Sequence, residues 1–109
     1  MKGCVGVKKV HTIEEFEEIL KNESRFFFMK HSLTCPISGS AFNQYQSFAT
    51  NSDDQTYFLA VQDSRKLSNY IAEKFGVRHE SPQALLFVGG KPVWDASHYS
   101  ITTETLSSR

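Results

Sequence analysis

The sequence predicts an α/β fold in which helices flank a mixed central sheet of about five strands. Short apolar runs that are typical of strands alternate with longer segments whose apolar residues recur at helical spacing. The last two strand-like runs are joined through Gly89-Gly90, which predicts an antiparallel hairpin. The expected order is β-α-β-α-β-α-β-β-α, with parallel pairing in the alternating part and antiparallel pairing at the end.

The first half of the chain contributes two strands and two helices to this prediction. Thr12 and Glu15 have the T-x-x-E spacing of a capping box. Pro36 suits the first turn of a helix, where its missing N–H costs nothing. The predicted elements are an edge strand over 5–10, a helix over 12–22, a buried strand over 25–30 and a helix from Pro36 to about residue 49.

The second half begins with another buried strand and ends with a short helix. Asp63 or Ser64 is expected to cap the third helix and Gly76 to end it. The predicted elements are a strand over 56–61, that helix, strands over 84–88 and 93–96 around the turn 89–92, and a helix over 101–108 with Ser100 as its cap.

Length and composition exclude several classes of protein. The 109 residues, 39% of them hydrophobic, predict one globular domain over 1–109. Twelve basic residues balance twelve acidic ones, so we expect neither nucleic acid nor a membrane as partner. The N-terminus lacks the apolar core of a secretory signal, which favours the cytoplasm. In that reducing compartment, two cysteines are expected as thiols.

Cys35 is the candidate reactive residue. It stands directly before Pro36, at the predicted start of a helix, where unpaired backbone N–H groups and the helix dipole favour thiolate over thiol. Ser38, one turn later, can donate a hydrogen bond to the sulfur but cannot resolve a mixed disulfide as a second cysteine would. The pattern therefore predicts a monothiol site. A cysteine that only packs in the core is the alternative.

Pro82 precedes the predicted fourth strand in "HESPQALLF". Proline cannot donate to a sheet ladder, so it is expected to mark the start of the strand or an irregular entry to it. A cis Ser81–Pro82 bond would fix backbone polar groups there, although the sequence alone leaves the isomer open.

Taken together, the element order, "TCPIS" after the "FFFMKHS" strand, and Pro82 before "ALLFV" resemble a thioredoxin fold over essentially the whole chain. Within that superfamily, "HSLTCPIS" and the chain length resemble the monothiol bacilliredoxins of the bacillithiol redox system. The resemblance implies a cis Pro82 facing Cys35, with Ser81 and Pro82 binding the substrate and Thr34, Pro36, Ile37 and Ser38 shaping the site.

The same resemblance implies the reaction and its participants. Proteins that carry bacillithiol on a cysteine would be the substrates, and bacillithiol would be a co-substrate of a protein that binds no cofactor. A monomer is expected. Two other functions stay open: a non-catalytic thioredoxin-like module that binds client proteins, and a deglutathionylating enzyme similar to monothiol glutaredoxins. The site lacks the C-G-F-S pattern of cluster-binding glutaredoxins, so no iron–sulfur cluster is expected.

Other polar residues receive structural interpretations. Cys4 is interpreted as a passive thiol and His31 as structural or solvated, although either one could assist the chemistry. His11, His79 and His98 lack metal-ligand spacing with the cysteines, so no metal site is predicted. Lys30, Arg78 and Lys91 could meet the acidic malyl part of bacillithiol, but basic residues on a neutral chain are usually solvated.

Overall fold

A computed structural model of the protein describes residues 7–109. Five strands and four α-helices appear in this part of the chain, and they confirm the predicted α/β class and the order of its elements. The strands are β1 (Lys8–Lys9), β2 (Arg25–His31), β3 (Gln55–Ala60), β4 (Gln83–Val88) and β5 (Lys91–Ser97). The helices are α1 (Ile13–Asn22), α2 (Pro36–Thr50), α3 (Arg65–Phe75) and α4 (Thr103–Ser107).

The sheet has the order β1-β3-β2-β4-β5, so β2 lies at its centre. Strand β2 is parallel to β3 and antiparallel to β4. Because of these directions, residues that follow β2 and β3 lie at the same edge of the sheet as residues that precede β4. The registers His31↔Ala60 and Lys30↔Gln83 define that edge.

The alternation of side chains along β2 divides the core between the two faces of the sheet. Phe26 and Phe28 are fully buried in the cluster that also contains Phe16 of α1. Phe27 and Met29 face the other cluster, with Tyr45 of α2. This explains why the strand is apolar at successive positions: both of its faces are covered.

Most predicted helix ends and the turn are confirmed, although Ser64 occupies the N-cap of α3 without a side-chain capping hydrogen bond. Thr12 and Glu15 form the reciprocal capping box of α1. Gly76 ends α3 with φ of 65°, and Gly89 and Gly90 join β4 to β5 with φ of 62° and 82°. These are backbone angles that glycine adopts without the steric cost of a Cβ atom.

The clearest differences from the predicted boundaries concern the first strand, the hairpin turn and the last helix. The described part of the first strand is limited to Lys8–Lys9, while residues 5 and 6 of the prediction lie outside the described range. The hairpin turn contains only its two glycines, since Pro92 is tolerated in β5 at the edge of the sheet. Helix α4 is capped by Thr102 rather than Ser100, because Thr102 and Thr105 satisfy each other's backbone N–H groups.

Within residues 7–109, no helix is both long enough and apolar enough to cross a membrane.

Candidate active site

Cys35 joins the central strand to the second helix. It is the N-cap residue of α2 and has extended backbone angles, φ −98° and ψ 120°, while Pro36 is the first helical residue. The thiol-bearing residue is half-buried, so part of it reaches the surface. Its side chain makes no capping hydrogen bond. Cys35 therefore lies at the N-terminal end of the helix dipole without a direct hydrogen bond from its side chain to the helix.

Gln62 holds the three residues that lead from β2 to Cys35. Its amide oxygen accepts a hydrogen bond from the Leu33 N–H at 3.0 Å. Its amide nitrogen lies 3.0 Å from Ser32 Oγ and 3.3 Å from Thr34 Oγ1, to which it donates. One side chain thus fixes the path of the segment 32–34. The predicted site residue Thr34 takes part in this arrangement through its hydroxyl.

Ser38 is bound to the strand rather than to the sulfur. It is completely buried. Its Oγ accepts the Ser32 N–H at 2.8 Å and lies 2.8 Å from His31 Nδ1. Within the described residues, the hydrogen bond from Ser38 to Cys35 that the sequence allows is not formed. The hydroxyl instead joins the first turn of α2 to the end of β2.

His31 is buried on the side of the site that faces the core. Its ring stacks on Phe42 with centroids 4.4 Å apart and an interplanar angle of 12°. Burial lowers the pKa of His31, and the positive charge of Lys9 lowers it further. The neutral imidazole is therefore the main form at neutral pH. His31 is thus buried and in contact with Ser38, not solvated.

The Ser81–Pro82 peptide bond is cis, as the resemblance implied. Pro82 lies immediately before β4, and its carbonyl accepts the His98 N–H at 3.1 Å. Since β4 starts at the edge where β2 ends, the structure places Ser81 and Pro82 at the same edge of the sheet as the segment carrying Cys35.

The structure thus groups all seven predicted site residues at one edge of the sheet, namely Thr34, Cys35, Pro36, Ile37, Ser38, Ser81 and Pro82. Cys4 lies outside the described residues. Sequence reasoning missed Gln62. A signal for it existed, because Gln62 follows a predicted strand, and the residues after parallel strands meet at one edge.

Comparison with known proteins places the chain in a family. The profile of the family described as monothiol bacilliredoxin BrxC matches residues 8–106. The chain belongs to the monothiol bacilliredoxin family. The match confirms the resemblance drawn from "HSLTCPIS". This bacilliredoxin-family protein is accordingly a thiol–disulfide oxidoreductase with a thioredoxin fold.

Solved structures agree with the fold of this bacilliredoxin-family chain. One protein, provisionally described as an oxidoreductase with a thioredoxin fold, is 40% identical with a TM-score of 0.92, and the match covers 99% of this chain and 96% of that one. A mutant thioredoxin from Halobacterium salinarum is 15% identical with a TM-score of 0.75, covering 94% and 86%. Thioredoxin from Malassezia sympodialis is 13% identical with a TM-score of 0.74, covering 94% and 87%. The two thioredoxins support the fold alone.

The three hydrogen bonds of Gln62 predict that its substitution loosens the segment 32–34. Gln62→Ala removes three hydrogen bonds from the segment 32–34, so we expect the Leu33 amide to exchange with solvent at least about tenfold faster, given roughly 1 kcal/mol per lost bond. Amide hydrogen exchange followed by NMR measures this. Gln46→Ala, at an exposed position of α2, is the matched control. Unchanged exchange at Leu33 would show that Gln62 does not hold this segment.

Proposed function

We propose that the protein removes bacillithiol from S-bacillithiolated proteins in the cytoplasm, with Cys35 as the attacking thiolate. The observation that carries this proposal is the arrangement at the start of α2. A partly accessible cysteine occupies the N-cap, and the position one turn later holds a buried serine that is hydrogen-bonded to His31, the last residue of β2. The family match supports the thiol–disulfide chemistry.

The reaction proceeds by two thiol–disulfide exchanges. In the first, the Cys35 thiolate attacks the bacillithiol sulfur of the mixed disulfide. The client thiolate leaves and takes a proton from solvent, so the client is reduced and Cys35 becomes S-bacillithiolated. In the second, the thiolate of another bacillithiol molecule attacks the bacillithiol sulfur on Cys35. Bacillithiol disulfide is released and the Cys35 thiolate is restored.

Ser38 explains why the second step needs an external thiol. A hydroxyl is far too weak an acid to provide the anion that would attack the Cys35 adduct. Its hydrogen bonds to His31 and Ser32 also hold it against the strand. In this proposal the external thiol is bacillithiol, and no bound cofactor takes part. Ser81 and Pro82 are proposed to receive the disulfide of the client protein.

One experiment tests which small thiol the protein prefers and whether it turns over more than once. A single client protein is prepared as its mixed disulfide with bacillithiol, glutathione or coenzyme A, and each is offered at about a hundredfold excess over the protein with the matching free thiol. We expect many turnovers, with the bacillithiol substrate released at least about tenfold faster than the others, a difference of roughly 1.4 kcal/mol in transition-state free energy.

The other outcomes correspond to the alternatives. Release limited to one equivalent of client, with the adduct remaining on Cys35, would indicate a binding module that traps its partners. Equal or faster release from the glutathione substrate would indicate a deglutathionylating enzyme. Either result would overturn bacillithiol removal as the function.

A further inference from the structure

Lys30 is a charged residue that the proposed reaction does not use. It lies next to the end of β2 and its side chain is fully buried, contrary to the expectation of a solvated lysine. Among residues 7–109 no carboxylate forms an ion pair with it. Burial without an opposite charge disfavours an ammonium, and it lowers the pKa of Lys30 to about 8. An apolar residue at this position would avoid the cost of burying an ammonium. The hydrogen bonds that the Lys30 side chain makes therefore indicate its role.

The Lys30 ammonium joins α3 to the segment that precedes Pro82. Its Nζ donates to the backbone carbonyl of Ser68 at 3.0 Å and lies 3.3 Å from His79 Nδ1. The hydroxyl of Ser68 lies 3.2 Å from the same ring nitrogen. Because an ammonium has donors only, His79 Nδ1 accepts and the ring proton lies on Nε2.

The charge state of His79 agrees with this assignment. Burial lowers the pKa of His79, and the positive charges of Lys30 and Arg65 lower it further, while Glu80 acts in the opposite direction. A neutral imidazole at neutral pH keeps the Nδ1 lone pair free to accept the hydrogen bonds.

His79 lies in the segment 77–80, which has no regular secondary structure and leads directly to Ser81 and Pro82. Such a segment needs side-chain contacts to hold one position. One such contact is the hydrogen bond between Lys30 and His79. Another comes from Gln83, the register partner of Lys30, which donates to the Arg78 carbonyl at 3.0 Å. The segment is thereby fixed to β2, the strand that also leads to Cys35.

We propose that Lys30 is a positioning residue that, through His79, holds Ser81 and Pro82 in the place where they receive the disulfide attacked by Cys35. This inference rests on the proposed function, because it assigns Ser81 and Pro82 to substrate binding. A disulfide must align with the attacking sulfur, and displacement of a binding segment by about 1 Å can lower a rate up to a hundredfold. The hydrogen bond between Lys30 and His79 keeps Ser81 and Pro82 aligned with Cys35.

Substitutions at His79 provide the sharpest test. His79→Leu removes the acceptor, whereas His79→Asn offers an amide oxygen near the position of Nδ1. Lys30→Met removes the donor with little change in side-chain length. Lys66→Met, at an exposed position of α3, is the matched control for loss of a lysine. Each variant is assayed for kcat and KM with the bacillithiolated client, and separately for the rate at which iodoacetamide alkylates Cys35.

We expect His79→Leu and Lys30→Met to lower kcat/KM for the bacillithiolated client about tenfold, with His79→Asn and Lys66→Met close to wild type. Alkylation by iodoacetamide, which needs no docking segment, should stay within about twofold in all variants. Should Lys30→Met fail to fold, the pair of His79 variants decides alone.

Two results would overturn the positioning assignment. A parallel fall in alkylation would show that Lys30 acts on the sulfur through its charge. Unchanged kcat/KM in His79→Leu would show that the contact does not serve the reaction. Failure of the wild-type protein to release the client would instead contradict the proposed function, so the two failures are distinguishable.

Discussion

Replacing Cys35 with serine is expected to abolish the transfer of bacillithiol from client proteins to this protein, with a loss of at least about a thousandfold. The reason is that a serine hydroxyl is essentially un-ionised at neutral pH, and exchange at a disulfide requires a thiolate. The other residues of the site would remain in place, because the Cys35 side chain makes no capping hydrogen bond to α2. Intact-mass measurement of the protein after incubation with the bacillithiolated client checks this outcome directly.

Cys4→Ser is the control for the same experiment, since it removes the other cysteine and leaves Cys35 in place. This variant should acquire one bacillithiol and release the client at the wild-type rate. An adduct on Cys4 in the Cys35→Ser protein, accompanied by continued release of the client, would contradict the assignment of Cys35 as the nucleophile.

The free energy of unfolding is expected to rise with pH because of Lys30. Its pKa is about 8 in the folded protein and 10.5 is its ordinary value. Between these values the unfolded chain keeps a proton that the folded protein has released, so increasing pH favours folding. Relative to Lys30→Met, the wild-type protein should gain roughly 2 to 3 kcal/mol between pH 7 and pH 10.

Urea unfolding of both proteins at several pH values between 7 and 10 measures this difference. Comparing the two proteins cancels the titration of groups that they share, and His79, a titratable side chain in contact with Lys30, is already neutral across this range. A difference in unfolding free energy that stays constant with pH would show that the Lys30 ammonium is not desolvated in the folded protein.

The sequence by itself determined most of the fold. Helix α1 was predictable because Thr12 and Glu15 satisfy each other's backbone N–H groups locally, and the β4–β5 turn because Gly89 and Gly90 adopt positive φ angles. The buried central strand was predictable from its continuous apolar run. These signals depend on residues close together in the chain. The same holds for Cys35 before Pro36, which marked the start of α2 and the candidate nucleophile.

Only the tertiary structure decided which polar groups meet across that framework. Ser38 could have bound the sulfur, but the buried His31 and the Ser32 N–H lie within its reach and hold it instead. Gln62 contacts the segment before Cys35 because β3 runs parallel to β2. Lys30 is buried beside His79 because the covered sheet leaves its side chain no route to water. Hydrogen bonds between residues distant in sequence depend on strand pairing and burial, and a local pattern of residues specifies neither.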